Sequence, residues 1–231
     1  MKTLRKPPIL LAFYSTIPIF FGYIPLGIAY GLLFKNLGYP WIFATLTGVF
    51  VFAGSAQFIS IGLLANHASL NEVFLTILFL NLRHIFYGFS LIRRYQTTLL
   101  KKLYLIFSLT DETYSLLTVN QLSNKDEDQR YCLYVSVLNQ TYWVLGCTLG
   151  ALLGEFIRFN TKGLDFALTA LFVVLTVEQA KKVRRVFPFA IALFSTILAI
   201  LIYKPQMLFV ALAISCTLIG ISSQWEAKKN V

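Results

Sequence analysis

The sequence predicts an all-α polytopic membrane protein of six to eight transmembrane segments, and three observations carry that expectation. Of 231 residues, 57% are hydrophobic and only 13% are charged, whereas a water-soluble domain carries about 25% charged residues. Several apolar runs approach the ~20 residues that cross a bilayer. The runs are continuous, which excludes a membrane β-barrel, whose strands alternate over ~10 residues. The net charge of +10 comes from lysines and arginines clustered between apolar runs, as the positive-inside rule expects, and so does not imply a nucleic-acid partner.

The apolar segments are, in order, 9–34, 41–65, 72–92, 103–119, 131–153, 163–180, 186–203 and 206–222. The first follows MKTLRKPP. It is too long for a signal-peptide core and lacks a small-x-small cleavage site, so it is expected to remain as the first helix. The second carries AGSAQ (53–57), small and polar enough to interrupt a helix. The third contains LFLNLRHIFYGFS (78–90), and a basic connector (93–102) leads from it into the fourth. QLSNKDEDQR (121–130) reads as a hydrated loop before the last four segments. Cys132, Cys147 and Cys216 lie in apolar stretches without metal-ligand spacing and read as small buried or lipid-facing residues. No stretch reads as a separate soluble domain, so residues 1–231 form one transmembrane domain.

A faint internal repeat organises it. ATLTGVFVFAGSAQ (44–57) aligns with FALTALFVVLTVEQ (166–179), setting Gln57 over Gln179. Upstream, GIAYG (27–31) matches GALLG (150–154), two GxxxG patterns of the kind that let helices approach closely. This divides the chain into repeats of about 9–119 and 131–222. If all eight segments cross, basic residues divide poorly, with 11 on one side and 8 on the other. If 41–65 and 163–180 enter and leave on the same side, fifteen fall inside. Only Lys35, Lys125, Arg130 and Lys204 fall outside, and Arg83 stays within the membrane. Each half then has three crossings and one re-entrant segment, so the halves are inverted, a common construction in secondary transporters. Both termini are cytoplasmic in this arrangement. Two ordinary spanning helices at 41–65 and 163–180 are the alternative.

Ionisable groups inside membrane segments are rare, costly and usually face an interior. Here they are Arg83, His84, Asp111, Glu112 and Glu178. Arg83 and Asp111 stand ten and nine residues from the basic connector, about 14–15 Å deep if both segments are continuous antiparallel helices. Arg83 is therefore expected to pair with Asp111 or Glu112, leaving the other carboxylate for a proton or a substrate amine. The pair could instead merely lock two helices together. Asn81 and His84 share a helix face. If the helix breaks at 53–57, backbone groups around Gly54, Ser55 and Gln57 can hold the charged ends of a small zwitterion. Gln179 and Glu178 occupy the matching place in the second half.

Other function classes fit less well. The chain lacks HExxH, GxSxG and Walker A motifs, which argues against a membrane protease and against ATP hydrolysis by this chain. No cofactor or metal site is expected. A passive channel usually shows rings of like charge or carbonyl filters, whereas opposite charges at equal depth suit a gated binding site. A structural membrane subunit is a third possibility.

FGYIPLGIAYGLL (21–33), FVFAGSAQF (50–58), NLRHIFYGFSL (81–91), TDETYSL (110–116) and GLDFALTALFVVL (163–175) resemble the AzlC family, the large subunits of bacterial branched-chain amino acid exporters. The resemblance covers nearly the whole chain. It implies export of valine, leucine, isoleucine or related amino acids across the cytoplasmic (inner) membrane. It also implies a small AzlD-type partner subunit and coupling to an ion gradient, with protons expected. The pairing of Arg83 is inferred from the residues and is not implied by the family.

Overall fold

A computed structural model describes residues 7–156, 186–203 and scattered positions between 173 and 220, with only the backbone of Arg83 and Pro188. The described elements are all helices: α1 (Pro8–Asn36), α2 (Trp41–Phe50), α3 (Gly54–Ala65), α4 (Leu70–Leu91), α5 (Leu99–Phe107), α6 (Asp111–Val119), α7 (Lys125–Phe156) and α8 (Phe187–Tyr203). The chain divides into two compact units, Met1–Thr161 and Lys162–Val231. α8 belongs to the second unit. α7, expected to open a second repeat, belongs to the first.

Local signals set the helix ends. Pro8 occupies the first turn of α1, where its missing N–H costs nothing. Gly38, at φ 88°, takes the left-handed conformation that stops it. Ser69 caps α4 by accepting from the Glu72 amide, and Thr110 caps α6 by accepting from the Thr113 amide at 3.2 Å. Asn124 accepts from the Asp126 and Glu127 amides at the start of α7.

The central pair is α1 and α7, and their glycines explain why. A Cβ on Gly27 would sit 2.9 Å from Gly146, and one on Gly150 would sit 2.7 Å from Ile28 backbone atoms, so the two backbones touch. Only glycine permits that approach. Along the seam Tyr23 meets Trp143, Gly27 meets Gly146 and Lys35 meets Glu155. The two helices therefore run in the same direction. The expected inversion of 131–222 against 9–119 requires their first helices to run oppositely, and α1 and α7 do not. The facing glycine motif on α7 is 146–150 rather than 150–154. Segment 163–180 lies outside the described residues.

Two interrupted helices flank this pair. α2 descends along α7, since Thr45 bonds Thr148 and Gln140 donates to the Val49 carbonyl. The chain then turns through Val51, Phe52 (φ 39°) and Ala53. α3 climbs back, from Gln57 beside Trp143 to Leu63 and Leu64 beside Phe34 and Phe43. Segment 41–65 is thus a helix–turn–helix hairpin rather than one continuous helix. The break spans 51–53 and meets the expected 53–57 only at Ala53, since 54–57 form the first turn of α3.

The fourth segment is a correction. Residues 103–119 are not one crossing helix, because the chain breaks at Ser108, Leu109 and Thr110. α5 rises along α7, with Tyr104 bonding Gln140, and α6 returns, with Thr113 bonding Asn139. At its foot Arg94 donates to Asp128 at 2.8 and 2.6 Å, to the Asn120 carbonyl at 2.8 Å and to the Leu117 carbonyl. Both ends of the hairpin are thereby tied to the start of α7. Leu105, Leu109 and Leu117 pack with Leu91, Tyr131 and Val135 in one buried cluster. Lys125 and Arg130 consequently share a face with Arg93, Arg94, Lys101 and Lys102, where charge counting had set them on opposite sides. Among the described residues the first unit thus has three long helices, α1, α4 and α7, and two hairpins that run along α7 from opposite ends.

Among the described residues α1 is one helix long and apolar enough to cross a bilayer. α4 passes the same test as a pair bent by 41° between Leu82 and His84. α7 is longer, and Asn139, Gln140 and Thr141 interrupt its apolar run where it meets the hairpins. Outward-facing Phe21, Phe50, Phe74, Phe86 and Phe89 are each at least 65% exposed, a surface suited to lipid rather than water.

Candidate functional site

The two hairpin tips converge on Tyr23 and Trp143. Tyr23 lies fifteen residues from the start of α1 and Trp143 eighteen from the start of α7, about 23–27 Å along each axis. Their rings pack edge to face at 5.4 Å. Each ring holds one tip.

At the α3 tip, Trp143 Nε1 donates to Gln57 Oε1 at 2.8 Å. Gln57 Nε2 donates to Thr47 Oγ1 at 3.3 Å, and Thr47 in turn bonds the Tyr30 hydroxyl at 2.9 Å. Gln57 is buried and fully engaged, so it braces the turn. Gly54 has no side chain because a Cβ there would lie 3.1 Å from the Trp143 ring. Ala53 caps α3 without a side-chain bond, and the first helical bond runs from the Gln57 amide to the Ala53 carbonyl at 2.8 Å.

At the α6 tip, the Tyr23 hydroxyl lies 2.7 Å from Thr110 Oγ1 and donates to Glu112 Oε2 at 2.7 Å. Thr110 Oγ1 donates to Thr113 Oγ1 at 3.1 Å, which also receives Asn139 Nδ2 at 2.9 Å. Asp111 and Glu112 occupy the first turn of α6, where the helix dipole favours negative charge. Glu112 is exposed at mid-length of the helices. Asn139 Oδ1 and Ser136 Oγ, both on α7 and fully buried, have no hydrogen-bond partner among the described residues.

The structure brings Gly54, Ser55 and Gln57 to one tip and Asp111 and Glu112 to the other. Asn81 and His84 stand on α4, where His84 Nδ1 lies 3.3 Å from the Asn81 carbonyl and the imidazole packs against Tyr87. Tyr87 stacks on Tyr114 of α6 at 4.5 Å, which sets this part of α4 beside the second hairpin. The side chain of Arg83, and with it the expected pairing with Asp111 or Glu112, lies outside the described residues. So do Glu178 and Gln179. Sequence reasoning missed Tyr23, Trp143, Thr110, Thr113 and Asn139. Their signal was polar atoms within apolar runs, and no charge drew attention to them.

The chain matches the AzlC protein family over residues 18–157, which includes both hairpins and all of α7. It is 43% identical over 176 residues to the branched-chain amino acid transport protein AzlC of Bacillus subtilis (strain 168), covering 75% of this chain and 68% of that protein. A membrane protein of Helicobacter pylori (strain J99), itself uncharacterized, is 37% identical over 171 residues, covering 74% and 75%. The inner membrane protein YgaZ of Escherichia coli (strain K12) is 29% identical over 168 residues, covering 69% and 68%. No solved structure matches.

Proposed function

The chain belongs to the AzlC family, and on that premise we propose that it exports branched-chain or other aliphatic amino acids across the cytoplasmic membrane. Transport is secondary-active, coupled to protons, and carried out with a small AzlD-type subunit. One observation carries this reading: two broken helices enter from opposite faces, and their N-terminal ends meet at mid-depth. Helix N-termini at such a junction attract an anionic group, here the substrate carboxylate at the start of α3. Glu112, exposed and bonded to Tyr23 through one oxygen, offers its other oxygen to the substrate ammonium or to the coupled proton. Each hairpin closes the site toward its own face.

Orientation follows from charge. Lys2, Arg5 and Lys6 precede α1, and Arg93, Arg94, Lys101, Lys102, Lys125 and Arg130 share its starting face. Up to Phe156, and leaving aside Arg83 within α4, Lys35 alone stands at the other. The N-terminal face is therefore the cytoplasmic one.

The test is valine efflux from cells preloaded with a valine-containing dipeptide, with and without this chain and a candidate small subunit. Expected is faster, saturable, gradient-dependent efflux that Glu112→Gln abolishes at equal membrane abundance. Efflux rising linearly with concentration would indicate a channel, and no acceleration would reject the proposal.

A further inference from the structure

Four oxygens stand in a row where α1 meets the start of α6. Glu112 Oε2 lies 2.7 Å from the Tyr23 hydroxyl, which lies 2.7 Å from Thr110 Oγ1, and Thr110 Oγ1 lies 3.1 Å from Thr113 Oγ1. Both 2.7 Å separations are O–H···O hydrogen-bond lengths, so each needs a hydrogen between its two oxygens. A hydroxyl carries one hydrogen. Thr110 gives its own to Thr113, which also receives Asn139 Nδ2 of α7 at 2.9 Å. The single hydrogen of Tyr23 is then left to serve two contacts. Given to Glu112, it leaves two oxygens 2.7 Å apart at Thr110 with nothing between them. Given to Thr110, it leaves the same gap at Glu112. The row is one hydrogen short, and Glu112 is the member able to gain one.

We infer that the coupled proton sits on Glu112 Oε2 in this conformation, with Glu112 donating to Tyr23, Tyr23 to Thr110 and Thr110 to Thr113. Tyr23, Thr110 and Thr113 are positioning residues for that proton. The surroundings agree. Residues 8–34 of α1, 41–65 of the first hairpin and 131–154 of α7 include no charged residue. Asp111 precedes Glu112 on α6, His84 stands on α4 beside Tyr87, and the side chain of Arg83 lies outside the described residues. Among the described residues Glu112 enters no ion pair. A bare carboxylate at mid-depth is costly, and the neutral acid far less so. When the proton leaves from the exposed side of Glu112, Tyr23 turns its hydrogen to the carboxylate and Thr110 turns its own to Tyr23. Thr113 loses the hydrogen it received, so the contact between α6 and Asn139 of α7 registers the release. The inference rests on the proposed proton-coupled transport. Of the two roles open to Glu112 it assigns the proton rather than the substrate ammonium, on the oxygen that faces Tyr23.

The test places the full chain, with its small subunit where required, in proteoliposomes. It compares valine transport driven by a pH gradient with exchange of labelled for unlabelled valine, which needs no net proton movement. Glu112→Gln keeps a donor toward Tyr23 but has no proton to release, so driven transport should vanish while exchange persists. Thr113→Val frees the Thr110 hydrogen to turn toward Tyr23. It should lower driven transport about tenfold relative to exchange, the effect of one lost hydrogen bond, and Thr113→Ser should restore it. If Glu112→Gln reaches the membrane and loses exchange as well, Glu112 holds substrate, and the inference falls while the transport proposal stands. Driven transport that survives Glu112→Gln puts the proton elsewhere and overturns the inference too. Equal ratios in Thr113→Val and the unaltered chain overturn the hydroxyl row. If the unaltered chain neither exchanges nor accumulates valine, the proposed function fails and the inference fails with it.

Discussion

Gly150→Ala tests the seam on which the fold depends. The new methyl would fall 2.7 Å from the carbonyl carbon and Cα of Ile28, and closer still to its carbonyl oxygen. Carbon atoms rest about 3.5–4.0 Å apart, so α1 and α7 must separate locally by about 1 Å. No flexible side chain can yield, because the obstacle is backbone. A gap of 0.5–1 Å already forfeits a quarter to a half of each contact's attraction, and overpacking of this kind costs roughly 1–3 kcal/mol. For a chain of this length that corresponds to about 3–10 °C in Tm. Gly88→Ala is the matched control, since nothing lies within 4 Å of its would-be Cβ. It should be neutral or slightly stabilising through helix propensity. Both are measured by thermal unfolding in detergent, at equal purity. If Gly150→Ala melts within about 1 °C of Gly88→Ala, the two helices are not in backbone contact and the parallel α1–α7 seam is wrong.

Single cysteines introduced at Gln96 and Ser123 should react with an impermeant thiol reagent from one face only, and one at Asn66 from the other. Labelling of Gln96 and Ser123 from opposite faces would refute the α5–α6 hairpin. Tyr23→Phe removes both 2.7 Å contacts with Thr110 and Glu112 while keeping the ring against Trp143. Efflux should fall at least tenfold with Tm changed by little, and an unaffected rate would remove Tyr23 from the site. Asp128→Asn leaves Arg94 largely buried without its counter-charge. A loss of about 3 kcal/mol is expected for breaking such a pair, read as a lowered Tm, and a double change to two apolar residues should restore part of it.

The first hairpin was legible because its turn announces itself: glycine and small polar residues interrupt an apolar run, and the charge count then prefers re-entry. The second was hidden. Ser108, Leu109 and Thr110 include neither glycine nor proline, so hydropathy runs straight through the break. Its one local sign is Thr110 followed by Asp111 and Glu112, a helix-start signature that reads equally well as acidic residues inside a longer helix. Treating 103–119 as continuous reverses the face of the 120–130 connector, which is why Lys125 and Arg130 are expected opposite Arg93 and Arg94. The clamp that corrects this, Arg94 on Asp128, joins positions 34 apart, and a lone arginine in a basic loop carries no mark of its partner. Gln57 was legible as a site residue, but its bracing role depends on Trp143, 86 positions away.

The short hairpin helices also constrain how the protein can be made. α5 and α6 have nine residues each, about 14 Å apiece, too short for an insertion machinery to hold either as a span. As they emerge from the ribosome, the partners of Tyr104, Thr113 and Arg94 on α7 have not yet been synthesised. In lipid the open backbone of the turn at 108–110 is costly, so the hairpin has no stable seat until α7 arrives. The contacts that seat the hairpin therefore form only once α7 has been made. A nascent chain halted before Lys125 would present an orphan hairpin at the membrane surface, a ready target for membrane quality-control proteases.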